Sequence, residues 1–139
     1  MRKRTQAREY ALQVLYQIDL AGKNPKDCLE DFWQAQEETC DEKIKEFASF
    51  LVCGTLERIS AIDNFIKEYT TNWQLERMAV VDRNILRMAT FELVFASDIP
   101  PKVSINEAVE LAKKYSNLES GKFVNGILDK IKEKKNALG

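Results

Sequence analysis

Residues 7–18, AREYALQVLYQI, place Ala7, Tyr10, Ala11, Val14, Leu15 and Ile18 at intervals of three and four. That spacing lines one face of an α-helix with apolar side chains; a strand would need a period of two. The stripe is broad, as in a helix packed on a core. It is stopped at Gly22–Pro25, where Asn24 and Pro25 suit the N-cap and first position of a second helix carrying Cys28, Leu29, Phe32 and Trp33.

The same period continues downstream. Ile44, Phe47, Ala48, Leu51 and Val52 form a third stripe, which resumes after Gly54 as Ile59, Ile62, Phe65, Ile66 and Tyr69. Gly54 marks either a bend or a close helix crossing. Thr70–Trp73 reads as a break. Val81, Ile85, Leu86, Met88, Ala89 and Leu93 make a wide stripe, as expected of a central, largely buried helix. Pro100 and Pro101 interrupt it, Ser104 and Glu107 fit a capping box, and Ile105, Ala108, Val109, Ala112 and Tyr115 follow as an apolar face. Phe123, Val124, Ile127, Leu128 and Ile131 define a last helix. No stretch alternates with period two and nothing repeats. The fold class is all-α, a compact helical bundle, and the 139 residues suit a single domain over 1–139.

Composition narrows the chemistry. There is no His, and Cys28, Cys40 and Cys53 form no C-x-x-C pair, which argues against a zinc site and against Ser–His or Cys–His catalysis. The thiols read as buried small hydrophobes in a reducing cytoplasm. No glycine-rich phosphate loop is present. The chain is expected to be no enzyme and to need no cofactor. No apolar run approaches membrane-spanning length, and no signal-peptide core follows the basic N-terminus, so a cytoplasmic location without a membrane partner is expected.

The net charge of −1 says little, but its distribution says more. Residues 1–8 hold Arg2, Lys3, Arg4 and Arg8 and no acid; residues 26–46 hold eight acids against three lysines; residues 122–135 hold five lysines against two acids. Such polarity can orient an anionic ligand. The leader reads either as a solubilising end or as arginines that follow phosphates and stack on unpaired bases. Lys122-Phe123-Val124-Asn125-Gly126 offers an amide for a base edge and a ring for stacking, or, alternatively, a core phenylalanine and a packing glycine. Glu76-Arg77 and Asp82-Arg83-Asn84 with Arg87 read as a solvated face or a partner-docking face.

Taken together, four ordered blocks resemble the NusB family of transcription antitermination factors: Ala7–Gln17; Trp73–Arg77 with Val81–Ala89; Pro100–Lys113; and Lys122–Asp129. The stretch Lys23–Asp41 has no such hallmark. The resemblance implies about seven helices in two subbundles and a transcription factor that binds boxA-type single-stranded RNA together with NusE, a ribosomal small-subunit protein. It further implies assembly with the RNA polymerase antitermination complex and read-through, especially in ribosomal RNA operons. Arg2, Lys3, Arg4, Arg8, Tyr16, Lys122, Phe123 and Asn125 then fall on the RNA side, and Glu76, Arg77, Asp82, Arg83 and Arg87 in the partner region. A protein–protein scaffold without RNA contact is the alternative. The free state, monomer or homodimer, is left open by the sequence.

Overall fold

A computed structural model describes residues 2–36, 41–70 and 72–138, and among these the chain is helical with no strand. Eight helices follow in order: α1 Lys3–Ala21, α2 Pro25–Ala35, α3 Glu42–Glu57, α4 Ile59–Lys67, α5 Asn72–Arg77, α6 Val80–Phe95, α7 Pro101–Tyr115 and α8 Leu118–Leu138. The all-α expectation holds, with one helix more than expected. The addition is α5, which begins within the Thr70–Trp73 stretch read as a break and runs on to Arg77.

Helix ends follow local chemistry. Gly22 closes α1 in the left-handed region at φ 65°, its N–H donating to the Ile18 carbonyl at 2.9 Å. Asn24 caps α2 by accepting from the amides of Lys26 and Asp27, and Pro25 occupies the first position as expected. Asp41 caps α3 through the Lys43 amide at 2.7 Å. The Ser104–Glu107 capping box does not form. Helix α7 starts three residues earlier at Pro101, so Ser104 lies inside it and its Oγ donates instead to Glu92 at 2.9 Å.

Gly54 resolves as a crossing rather than a bend. Helix α3 runs through it, and the turn falls at Arg58. A Cβ at residue 54 would sit 2.1 Å from Cζ of Phe91, so only glycine lets α3 approach α6 this closely.

Helices α1, α2 and α3 pack as one group and α4–α8 as another, with α6 touching α1, α3, α4, α7 and α8. The core runs through Leu15, Leu51, Val52, Ile62, Ile66, Ile85, Leu86, Met88, Leu93, Leu128 and Ile131, each almost fully buried. Burying side chains of this kind stabilises by about 1.5–3 kcal/mol each before entropy is counted. Cys28 is buried as expected; Cys53 is not, standing on the outer face of α3. Cys40 lies outside the described residues. No helix among them is long and apolar enough to cross a membrane.

Candidate RNA and partner interface

The basic leader forms the first turn of α1 and leans on α3. Arg2, Lys3 and Arg4 are exposed. Lys3 pairs with Asp41 at 3.0 Å, and the Arg4 guanidinium lies 4.4 Å from the Phe47 ring centroid. Arg8 is different, and the sequence reading of it as a surface cation is corrected. It is 2% exposed: its Nη2 donates to Glu92 Oε1 at 2.7 Å, its Nε to Oε2 at 3.0 Å, and its Nη1 lies 3.4 Å from Glu107. Thr5 donates to the same Glu107 at 2.6 Å. Arg8 thus ties α1 to α6 and α7 from within and fixes where the leader emerges.

Further along α1, Tyr16 is exposed and borders a shallow pocket of about 270 Å³ with Leu12, Gln13, Gln17, Val81 and Tyr115. Val81 and Tyr115 are chain neighbours of Asp82 and Ser116, and these meet the start of α8. Ser120 Oγ donates to Asp82 Oδ2 at 3.1 Å and shares a hydrogen bond with Ser116 Oγ at 2.8 Å. Asn117 Oδ1 accepts from the Ser120 amide at 2.8 Å. The N-terminal ends of α6 and α8 and the C-terminal end of α7 therefore converge beside Tyr16. Phe123 is three residues beyond Ser120 on α8, the spacing of side chains that share a helix face.

On that helix Phe123 is 37% exposed, Lys122 and Asn125 are exposed, and Val124 is fully buried. The ring therefore stands at the rim of the core with a face open to solvent. Gly126 is corrected as a packing glycine: a Cβ there would meet nothing within 4 Å. Bare helix backbone thus lies open beside Asn125. Glu119 is inside α8 and exposed, 3.6 Å from Lys122.

Sequence reading missed the three-residue polar cluster under this end. Glu9, buried on α1, accepts from Lys114 and, at 2.6 Å, from Tyr115. Burial alone would raise the Glu9 carboxyl, but the two donors hold it below its ordinary value. Its bond to Glu9 raises Lys114; burial, then its own bond to Glu9, raises Tyr115. The signal in the sequence was Tyr115 itself, read as apolar face although it closes its helix just before Ser116-Asn117.

The central charged cluster divides. Glu76 and Arg77 are exposed on α5. Asp82, Arg83 and Arg87 turn inward, which corrects their reading as an outward docking face. Arg83 Nε donates to Asp19 at 2.9 Å, and its Nη1 caps the end of α5 through the carbonyls of Leu75 and Glu76 at 3.2 and 3.1 Å. Arg87 grips both oxygens of Asp63 at 2.9 Å and also reaches Asp19 at 3.3 Å. Asn84 Nδ2 completes the set on Asp19 at 3.0 Å. These bonds join α1, α4, α5 and α6. Asp82 Oδ1 is buried without a hydrogen-bond partner among the described residues. No group of acids and thiols among those residues could hold a metal ion.

The family model described as the NusB family matches residues 5–133. The chain is 46% identical over 137 residues to the transcription antitermination protein NusB of Thermodesulfovibrio yellowstonii, covering 93% of this chain and 91% of that one. It is 50% identical over 129 residues to the protein of the same name from Anaeromyxobacter dehalogenans, covering 93% and 89%. Among solved structures, NusB of T. maritima superposes with a TM-score of 0.83 at 42% identity, covering 96% and 92% of the two chains. A chain from a complex of the antitermination factors NusB and NusE with double-stranded RNA superposes with a TM-score of 0.87 at 34% identity, covering 96% and 98%.

Proposed function

The chain belongs to the NusB family, and from that premise we propose that it is a cytoplasmic transcription antitermination factor which binds boxA-type single-stranded RNA together with NusE. In the antitermination complex of RNA polymerase it promotes read-through, above all of ribosomal RNA operons. It assembles a complex and catalyses nothing.

The observation that supports an RNA face best is the outer side of α8, where the open Phe123 ring, Asn125 and the uncovered backbone of Gly126 lie together with Lys122. A base stacks on a ring, an amide reads its edge, and a bare backbone lets the strand come close. Tyr16 extends this face on α1. Arg2, Lys3 and Arg4 supply cations about 18 Å further along α1, from its 1.5 Å rise per residue. Arg8 takes no phosphate and holds the leader in place. On the protein side, Glu76 and Arg77 meet the partner, while Arg83 holds α5 where it can be met and Arg87 ties α6 to α4 and α1 beneath it.

The test is a gel shift with boxA-type RNA, with and without NusE. Each ligand should raise the affinity for the other by one common factor, about 1–3 kcal/mol in free energy. RNA affinity unchanged by NusE would refute the joint site, and no RNA binding in either state would refute the reading altogether.

A further inference from the structure

One surface feature lies outside the face just described. Phe47, Phe50, Phe91 and Phe95 form a continuous aromatic ladder across α3 and α6, with ring centroids 6.0, 5.2 and 6.3 Å apart from one step to the next. An arginine stands at each end: the Arg4 guanidinium 4.4 Å from the Phe47 centroid, and that of Arg58 4.5 Å from Phe95. In the middle Phe50 is 45% exposed. A single exposed phenylalanine is ordinary, but this ring is held edge-on from behind by Phe91. Phe91 reaches that position because residue 54 has no side chain. Phe50 also borders a cleft of about 610 Å³, the size of a small-ligand site, lined by Lys3, Arg4 and Lys43 together with Glu46 and Asp98.

Resting on the RNA-binding reading above, we infer that Phe50 is a second RNA subsite, on which an unpaired base of single-stranded RNA stacks while the flanking phosphates meet Arg4 and Lys43 on one side and Arg58 on the other. Aromatic rings interleaved with cations are what a single strand needs, since every base has a face to stack and every linkage a charge to neutralise. The carboxylates of Glu46 and Asp98, in the same lining, accept from the N–H groups of a base edge. The subsite starts at Arg4, where the leader meets α3, so a strand following the leader passes directly onto it.

The experiment uses the full chain and two probes, a short boxA-type RNA and the same RNA extended at both ends, read by fluorescence anisotropy. Phe50→Leu should bind the short RNA like the unaltered protein and the extended RNA roughly 5- to 150-fold more weakly, the loss of one stacked base. Phe50→Tyr keeps the ring and should restore the extended RNA. Arg58→Ala, on an exposed side chain, should weaken only the extended RNA, which keeps the test decisive if Phe50→Leu lowers stability. Phe50→Leu and Arg58→Ala proteins that bind the extended RNA as tightly as the unaltered protein would overturn the subsite alone. Failure of the unaltered protein to bind either RNA would overturn the RNA-binding reading and the subsite with it.

Discussion

Arg8 and Glu92 meet in the interior with two of the arginine's nitrogens on the carboxylate, Nη2 to Oε1 at 2.7 Å and Nε to Oε2 at 3.0 Å, and neither side chain is more than 2% exposed. Truncating one partner of such a pair strands the other charge, at a cost of about 3–5 kcal/mol. Arg8→Ala should therefore lower the denaturant midpoint sharply, and Arg8→Lys should recover only part of it because an ammonium cannot present the forked donor. Arg4→Ala should melt almost normally and weaken RNA binding. A normal melt for Arg8→Ala would show that the pair contributes nothing.

With Arg8 internal, three leader cations remain to neutralise phosphates. A log–log salt slope of about −2 is expected from them, at roughly −0.7 per contact for single strands. Replacing Arg2, Lys3 and Arg4 by Ala should remove that slope. Titrations across a range of salt check it, and a slope unaffected by the triple replacement would place the phosphates elsewhere.

Phe123 and Asn125 should separate in function. Phe123→Ala should cost about 1–3 kcal/mol of RNA affinity if a base stacks on the ring. Asn125→Ala, on an exposed side chain, should leave the melt unchanged and narrow the difference between boxA-type and scrambled RNA. A Phe123→Ala protein that loses stability but, still folded, keeps its RNA affinity would make the ring a core residue only.

Glu119 sets a negative charge one turn from Phe123, 3.6 Å from Lys122. Glu119→Gln frees that lysine and removes the repulsion, so RNA binding should tighten at low salt, with the gain shrinking as salt rises. Stability should fall slightly, since an acid in the first turn favours the helix. Binding that is unchanged or weaker at low salt would take Glu119 off the RNA surface.

The Glu9 cluster predicts pH limits at both ends. The Glu9 carboxyl is lowered in the fold, so its stabilisation is complete above its ordinary 4.5 and is lost as the pH falls through the lowered value. Lys114 and Tyr115 are raised, so their stabilisation is complete below about 10 and is lost as the pH rises through the raised values. Glu9→Gln should flatten both limbs of a plot of melting temperature against pH. Parallel curves for the two proteins would show that the cluster does not couple to folding.

Helical periodicity was enough to place α1, α6, α7 and α8, because each buries one face over several turns. It could not show α5, whose six residues are fewer than two turns and whose end is held by an arginine from another helix. The charged residues were harder to read. Sequence shows that Arg8 is charged, but the carboxylate that buries it is 84 residues away. Arg83 and Arg87 were misplaced for the same reason: Asp19 and Asp63 are remote in the chain and adjacent in space. Tyr16 was legible only through the family's pattern, and Phe123 only as one of two readings, since an aromatic residue on a helix reads as core until its neighbours are known.

The crossing at Gly54 makes the volumes of two positions a single shared quantity. Phe91 occupies the space that a side chain at 54 would need, so neither residue can vary alone: alanine at 54 wedges the two helix groups apart, and a smaller residue at 91 leaves a void between them. Only a paired exchange, one gaining what the other loses, keeps the groups in register. Over evolutionary time the two positions should therefore change together or not at all.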